Sequence, residues 1–314
     1  MPQEIDISVV VPLYNEEDNV RELHDSINRV LITLGKSYEI LFVDDGSKDA
    51  TLNRLLEIKQ LNPLVKVIKF RRNFGQTAAM LAGFDYSCGR VVVSLDGDLQ
   101  NDPQDIPRLL EKLESGYDLV CGWRKNRKDK LITRKVPSRI ANGLISLITG
   151  VPVRDNGCSL KAYRGSIVKN ISLYSDLHRF VPTMATLLGA RITEIPVNHR
   201  ERIHGESKYG LSRVLKVLLD LVAVKTITGF ASQPMKWFIL IGLPPLIIGL
   251  VCGGYAINSF IRYDYRSLYV IPSVSFIFIS IFSSLVFSGL VAEIVLKTGK
   301  FKHVKVLSRV IEIS

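Results

Sequence analysis

The sequence predicts a mostly parallel α/β sheet domain followed by two membrane-spanning helices. Three observations carry this expectation. Short β-branched runs alternate with amphipathic helical stretches through the first third of the chain, a pattern that gives parallel strands joined by right-handed crossovers. Each run ends in polar or acidic residues. Two long apolar segments then close the chain, and the mean hydropathy is positive although 23% of the residues are charged.

Residues 7–11 are nearly unbroken β-branched positions ending at Pro12 and read as a buried strand. After Pro12-Leu13-Tyr14-Asn15-Glu16-Glu17, the apolar residues Val20, Leu23, Ile27, Val30 and Leu31 recur at spacings of three and four and predict a helix. Residues 40–43 form a second strand that ends in Asp44-Asp45-Gly46-Ser47, and a helix carrying Leu52, Leu55, Leu56 and Ile58 follows from about Asp49. Residues 65–70 are a third strand, followed by Arg71-Arg72-Asn73-Phe74-Gly75 and a helix over 76–88. Residues 91–95 are a fourth, ending in Asp96-Gly97-Asp98. Asp102-Pro103-Gln104-Asp105 opens a helix, with Pro in the first turn and acids at the positive end. Residues 119–122 and 192–197 are further strands.

Residues 124–139 carry eight Lys or Arg against the single acid Asp129. Leu131, Ile132 and Val136 punctuate the charges, so a membrane-surface helix and a solvated loop are both open readings. Residues 211–230 place Leu215, Leu218, Leu219, Val222 and Val224 in a pattern suited to an amphipathic interfacial helix. Residues 237–257 hold no charge across about 21 positions, roughly 30 Å of helix, which spans a bilayer; a kink is expected at Pro244-Pro245. Residues 268–296 form a second apolar run whose only charge is Glu293. The expected organisation is a domain over 1–210, an interfacial helix over 211–233, spans over 235–258 and 268–296, and a basic tail over 297–314. That tail alternates with period two and is expected to form a short strand, with another subunit as a candidate partner. Lys and Arg flank both spans on the same side, so the positive-inside rule puts the N-terminal domain and both termini in the cytoplasm, in a multi-pass protein of the cell (inner) membrane.

The net charge of +11 calls for an anionic partner. Nucleic acid is not expected, because the charge flanks membrane segments and lacks interleaved aromatics. Cys88, Cys121, Cys158 and Cys252 form no CxxC pair, which suits a reducing compartment. The N-terminus, with Glu4 and Asp6 ahead of a strand, does not read as a signal peptide. No GxGxxG follows the first strand, which argues against a dinucleotide-binding oxidoreductase.

The chemistry concentrates at Asp96-Gly97-Asp98. Open α/β sheets bind ligands at the carboxyl ends of their strands. Mg²⁺ and Mn²⁺ take oxygen ligands, and a site of one or two carboxylates plus substrate phosphates suits a metal-bridged diphosphate. A lone Asp-Gly-Asp is more often a solvated turn. Acids at neighbouring strand ends, collected on the same sheet edge, shift the balance towards a metal and diphosphate site.

Val9-Val10-Val11-Pro12-Leu13-Tyr14-Asn15-Glu16, Val43-Asp44-Asp45-Gly46-Ser47-Lys48-Asp49 and Asp96-Gly97-Asp98, in that order, resemble the signature of family 2 inverting glycosyltransferases with the GT-A fold. Asp98-Leu99-Gln100-Asn101-Asp102-Pro103-Gln104 and Arg202-Ile203-His204-Gly205-Glu206-Ser207-Lys208-Tyr209 look like the polyprenyl-phosphate branch, which includes dolichol-phosphate mannose synthases and, most similar in their two C-terminal helices, the bacterial bactoprenol glucosyltransferases. The resemblance implies inverting transfer of a sugar, with glucose from UDP-glucose favoured, to polyprenyl (undecaprenyl) phosphate at the cytoplasmic membrane face. It gives the nucleotide sugar to Pro12, Tyr14, Glu16, Asp44, Asp45 and Asp96, and Mg²⁺ or Mn²⁺ to Asp98 and Asp96. Gln100 is expected to contact the metal or the sugar. Asp155 stands where related enzymes carry a base, and is expected here to orient the acceptor or the sugar hydroxyls. A phosphate acceptor needs no general base, since its second ionisation lies near about 6; it needs cations. Arg124, Arg200, Arg202 and Lys208, with a hydrogen bond from Ser207, fit that need. A homo-oligomer, a tetramer by resemblance, is also implied. The competing readings are a polysaccharide synthase using a hydroxyl acceptor and a nucleotide-sugar-binding membrane scaffold without turnover.

Overall fold

The computed structural model describes residues 4–125, 143, 145–147, 149–171, 177–200, 229–230, 233–262, 269–298 and 311–312. The chain divides into two compact units, one holding a β-sheet and the other two long helices. Most of the interfacial helix expected over 211–233 and most of the basic 124–139 segment lie outside the described residues.

The strands are β1 (Ile7–Leu13), β2 (Tyr38–Asp44), β3 (Val65–Lys69), β4 (Val91–Ser94), β5 (Leu119–Trp123), β6 (Lys161–Arg164), β7 (Ile192–Pro196) and β8 (Ile311–Glu312). They form one sheet in the order β7-β5-β6-β4-β1-β2-β3-β8. β1 pairs parallel with both β2 and β4, and β2 pairs parallel with β3. The valines at 9, 10 and 11 are fully buried, as expected of a central strand covered on both faces. Helices α1 (Val20–Leu34), α2 (Thr51–Leu61), α3 (Gln76–Tyr86) and α4 (Ile106–Glu114) make the crossovers. On α1 the buried residues Val20, Leu23, Ile27 and Leu31 recur at helical spacing, each such side chain contributing about 1.5–3 kcal/mol on burial.

Two strands depart from the expected pattern. β6 has no counterpart in the sequence reading and runs antiparallel to both β4 and β5, so the sheet is mixed. The tail strand β8 adds antiparallel to β3 of the same chain, with Ile68 opposite Glu312 and Lys69 opposite Ile311, in place of another subunit. The outer edge of β3 offers the unpaired backbone groups that such an added strand satisfies.

Gly46 is required where β2 hands over to the loop before α2. Its φ is +69°, and a Cβ there would lie 2.5 Å from the carbonyl carbon of Arg72. The Gly46→Ala variant is therefore expected to lose about 2–3 kcal/mol of stability, from left-handed strain plus a main-chain clash. A clear fall in thermal midpoint, followed by tryptophan fluorescence, checks this.

In the second unit, helices Pro234–Arg262 and Val270–Thr298 are long and apolar enough to cross a membrane. Only 11% of each hydrophobic stretch is buried within the protein, unlike a helix in a soluble core. The first helix continues through Pro244 and Pro245. The two pack antiparallel: Cβ atoms at Gly242, Gly249 and Gly289 would meet Phe282, Ile279 and Phe238, respectively, within 3 Å. Ser275 Oγ donates to the Gly249 carbonyl at 2.7 Å.

Candidate active site

The chain runs outward from β1 through β2 to β3, then returns to the other side of β1 to form β4. The β1–β4 junction is thus a topological switch point, and its carboxyl end is the expected ligand crevice. Asp96, Gly97 and Asp98 leave β4 there. Gly97 is needed for close approach, since a Cβ would lie 2.3 Å from Leu13 Cδ2 of β1. The backbone then turns through a left-handed Leu99 (φ 59°), and Asp98 Oδ1 accepts from the Gln100 amide at 3.2 Å. Gln76, the first residue of α3, donates from its amide to Asp96 Oδ1 at 2.6 Å.

Burial and the neighbouring Asp98 charge push Asp96 up to about 6, against the opposing pull of Ser159, Arg124 and Lys161. A buried carboxylate with a second carboxylate beside it sits in a negative local field, which a divalent cation would offset. Hard oxygen donors in this arrangement fit Mg²⁺ or Mn²⁺. One or two carboxylates together with substrate phosphate oxygens are a donor set such an ion takes.

On the other flank of β1, the strand-end loops of β1 and β2 bind each other. The Asn15 amide donates to Ser47 Oγ at 2.9 Å, the Lys48 amide to Asn15 Oδ1 at 2.8 Å, and the Glu16 amide to Thr51 Oγ1 at 2.9 Å. Asp44 is fully buried and accepts from the Ser47 amide at 3.0 Å, while its Oδ2 is buried with no hydrogen-bond partner among the described residues. Asp45 accepts from the Phe74 and Gly75 amides at 2.7 and 2.9 Å, closing the loop ahead of α3. Burial raises its pKa, those two amides lower it, and the Asp44 charge raises it, with a net rise. Asp45 therefore shapes the crevice through the 70–75 loop. Pro12, Tyr14 and Glu16 sit partly exposed at its rim.

Two residues expected to act separately meet as a pair. Arg124, just past β5, donates through Nε to Asp155 Oδ2 at 2.7 Å and through Nη2 to Asp155 Oδ1 at 2.9 Å. Burial opposes the guanidinium charge, but the Asp155 hydrogen bonds and charge outweigh it, so the Arg124 pKa is raised. Asp155 thus holds a buried cation in a fixed plane.

The register Ser94 opposite Lys161 brings the start of β6 to the carboxyl end of β4. Lys161 is 3% exposed, and its Nζ donates to the main-chain oxygens of Asn156 and Cys158. Burial pushes the Cys158 thiol up to about 11 and Cys121 up to about 12, so neither is a nucleophile near neutral pH. A polar cavity beside Asp96 is lined by Gln76, Asn156, Ser159, Lys161, His178 and Arg179.

Arg200 reaches the site by main-chain pairing. Its amide donates to the Gln100 carbonyl at 2.9 Å, next to an isolated bridge between Asn101 and His199. Its guanidinium is paired with Asp102 at 2.8 Å. Arg202, Ser207 and Lys208 lie outside the described residues. Gln76, Ser159, Lys161, His178 and Arg179 were not expected from sequence. Gln76 had a usable signal, a polar residue opening a helix at the acidic sheet edge; the others depend on β6 and on chain reversals.

Residues 8–172 match Glycosyl transferase family 2. The chain is similar to the dodecaprenyl-phosphate galacturonate synthase of Rhizobium johnstonii, 45% identical over 77% of this chain and 72% of that protein. It is also similar to the undecaprenyl-phosphate 4-deoxy-4-formamido-L-arabinose transferase of Edwardsiella ictaluri, 43% identical over 71% of this chain and 68% of that one. In fold it resembles glucosyl-3-phosphoglycerate synthase of Mycobacterium tuberculosis, solved with Mn²⁺, UDP and phosphoglyceric acid, at a TM-score of 0.54 and 19% identity over 71% of this chain and 78% of that one. With the match covering more than half of its length, and with the mixed GT-A sheet carrying its acids at the switch point, the chain belongs to glycosyl transferase family 2.

Proposed function

We propose that the protein transfers a pyranosyl unit from a uridine-diphosphate sugar to polyprenyl phosphate, with inversion at the anomeric carbon. The observation that carries this reading is the Asp96–Asp98 pair at the switch point, flanked by the buried cations Arg124 and Lys161. Two relatives above 40% identity are named for sugar transfer to a polyprenyl phosphate. Those names carry galacturonate and a formamido-arabinose, so UDP-galacturonate joins UDP-glucose as a first donor to test. The two apolar helices anchor the chain in the membrane that contains such an acceptor, with the sheet domain on the cytoplasmic face.

In the proposed reaction an acceptor phosphate oxygen attacks the anomeric carbon. The bond from that carbon to the β-phosphate oxygen breaks, and its electron pair leaves with UDP. The acceptor is already ionised near neutral pH, so no side chain need remove a proton. A bound Mg²⁺ or Mn²⁺ supplies charge neutralisation on the leaving diphosphate. Asp96 and Asp98 would hold it, Gln76 orients Asp96, and the β1 and β2 loops frame the nucleoside. Arg124, held by Asp155, adds positive charge near Asp96.

Incubating the purified full chain with radiolabelled nucleotide sugars, polyprenyl phosphate and Mn²⁺ should give metal-dependent label in the organic phase. Free sugar or a water-soluble polymer as the sole product would refute the reading. The metal step has its own pH signature. Asp96 is pushed up to about 6, so a proton competes with the cation below that pH and not above it. Apparent Mn²⁺ affinity in the presence of UDP is expected to fall about tenfold per pH unit below about 6 and to level off above about 7. A flat calorimetric profile between about pH 5 and 7.5 would remove Asp96 from the ligand set.

A further inference from the structure

Asp45 and Asp96 stand on opposite flanks of β1, past the ends of β2 and β4, two strands that lie about 10 Å apart in the sheet. One short stretch of chain touches both carboxylates. Asp45 is buried, and its own amide donates to the carbonyl of Leu13, the last residue of β1, at 2.8 Å. Its two carboxylate oxygens accept from the Phe74 and Gly75 amides at 2.7 and 2.9 Å. The next residue, Gln76, opens α3 and donates its side-chain amide to Asp96 Oδ1 at 2.6 Å.

This stretch has little freedom to move. Gly75 turns the chain into the helix with φ at +94°, a backbone conformation that L side chains rarely adopt. Further along α3, Gly83 approaches β1 so closely that a Cβ would lie 2.2 Å from Val10 Cγ1. Thr77, Ala79 and Met80 are buried between these two points. The helix is thus docked on β1 at Gly83 and pinned by Asp45 at its start, which fixes where Gln76 stands. A carboxamide suits that position. It donates a hydrogen bond to one carboxylate oxygen and carries no charge, so Asp96 keeps its negative charge for a cation. Hydrogen bonds of this kind orient ligating carboxylates, and removing one typically costs about 10–100-fold in metal affinity.

We infer that Asp45 is a positioning residue for the cation site: by holding the Phe74 and Gly75 amides it sets the start of α3, and Gln76 carries that placement to Asp96. The nucleoside flank and the diphosphate flank of the crevice are thereby built as one unit. The inference rests on the proposed reading that Asp96 and Asp98 hold a divalent cation, and it gives Asp45 a role beyond contact with the nucleotide.

The test uses the full chain in detergent, as wild type, Gln76→Met, Asp45→Asn, Gly75→Ala and the two doubles that join Gln76→Met to each of the others. Mn²⁺ affinity is read by electron paramagnetic resonance at saturating UDP, so that a weaker nucleotide contact does not enter, and thermal midpoints are followed alongside. Each single variant should weaken Mn²⁺ binding about tenfold or more. Neither Asp45→Asn nor Gly75→Ala should add more than about twofold in the Gln76→Met background, because the path to Asp96 is already cut there. Gly75→Ala changes no charge, so it separates displacement of the turn from loss of the Asp45 charge, and it decides the question if Asp45→Asn does not fold. Losses that multiply in the doubles, or wild-type affinity in Gln76→Met, overturn the inference. So does a lowered thermal midpoint with unchanged Mn²⁺ affinity, the result of a purely structural role. None of these measurements needs an acceptor or a lipid product, so they stand if the transfer reading fails. If the wild type binds no Mn²⁺ with UDP, the cation reading fails on its own account. The link from Asp45 to Asp96 is then decided by the side-chain amide resonance of Gln76 in chain labelled with nitrogen-15 glutamine, identified by its loss in Gln76→Met. That resonance must shift in Asp96→Asn and in Gly75→Ala, and one that stays in place in either variant overturns the link.

Discussion

Asp98→Asn should lower turnover about a thousandfold, equivalent to roughly 4 kcal/mol of transition-state stabilisation, while leaving the fold intact. Asp98 is 9% exposed, and its Oδ1 accepts the Gln100 amide at 3.2 Å. Asparagine keeps an oxygen for that amide, so the left-handed turn at Leu99 survives. What it removes is one of the two negative charges that would hold a cation against the leaving diphosphate. Initial rates at saturating Mn²⁺, compared with the thermal midpoint, separate the two effects. A variant with near wild-type turnover would place the metal elsewhere.

Asp155→Asn should act differently, on stability and rate together. Arg124 and Asp155 are both largely buried, with side chains 13% and 6% exposed. Breaking such a pair by neutralising one partner leaves an uncompensated buried charge, at a cost of about 3–5 kcal/mol. The thermal midpoint should fall clearly, and turnover should fall with it because the Arg124 plane is no longer held. Replacing both residues, Arg124→Met with Asp155→Leu, should recover much of the stability without recovering turnover, since a packed apolar pair is often as stable as a buried ion pair. Full turnover by Asp155→Asn would show that neither its charge nor its grip on Arg124 matters to the reaction.

Much of this architecture was legible in the residues. The valine-rich runs of β1 and β4 announce buried parallel strands; Asp44 closes β2, Asp45 follows it directly, and Asp96 and Asp98 lie two and four positions past the end of β4. Local pattern therefore places them on one edge. β6 was not legible, because Lys161-Ala162-Tyr163-Arg164 is short, is charged at both ends and lacks alternation. With β6 went Lys161, whose burial depends on main-chain carbonyls of Asn156 and Cys158. Long-range pairing was equally hidden. Arg124 reads as a phosphate ligand in sequence, but 31 positions separate it from the carboxylate it grips. Arg200 is 98 positions from Asp102. No local signal tells a cation awaiting substrate from one already matched to a protein carboxylate.

The central claim is that a lipid phosphate oxygen displaces a nucleoside diphosphate from the sugar's anomeric carbon. Mass spectrometry of both products after a single turnover tests it most directly. The account predicts polyprenyl monophosphate linked to the sugar, formed in equal amount with UDP. A polyprenyl diphosphate-linked sugar accompanied by UMP would mean that the phosphate–phosphate bond was broken instead, and would contradict it.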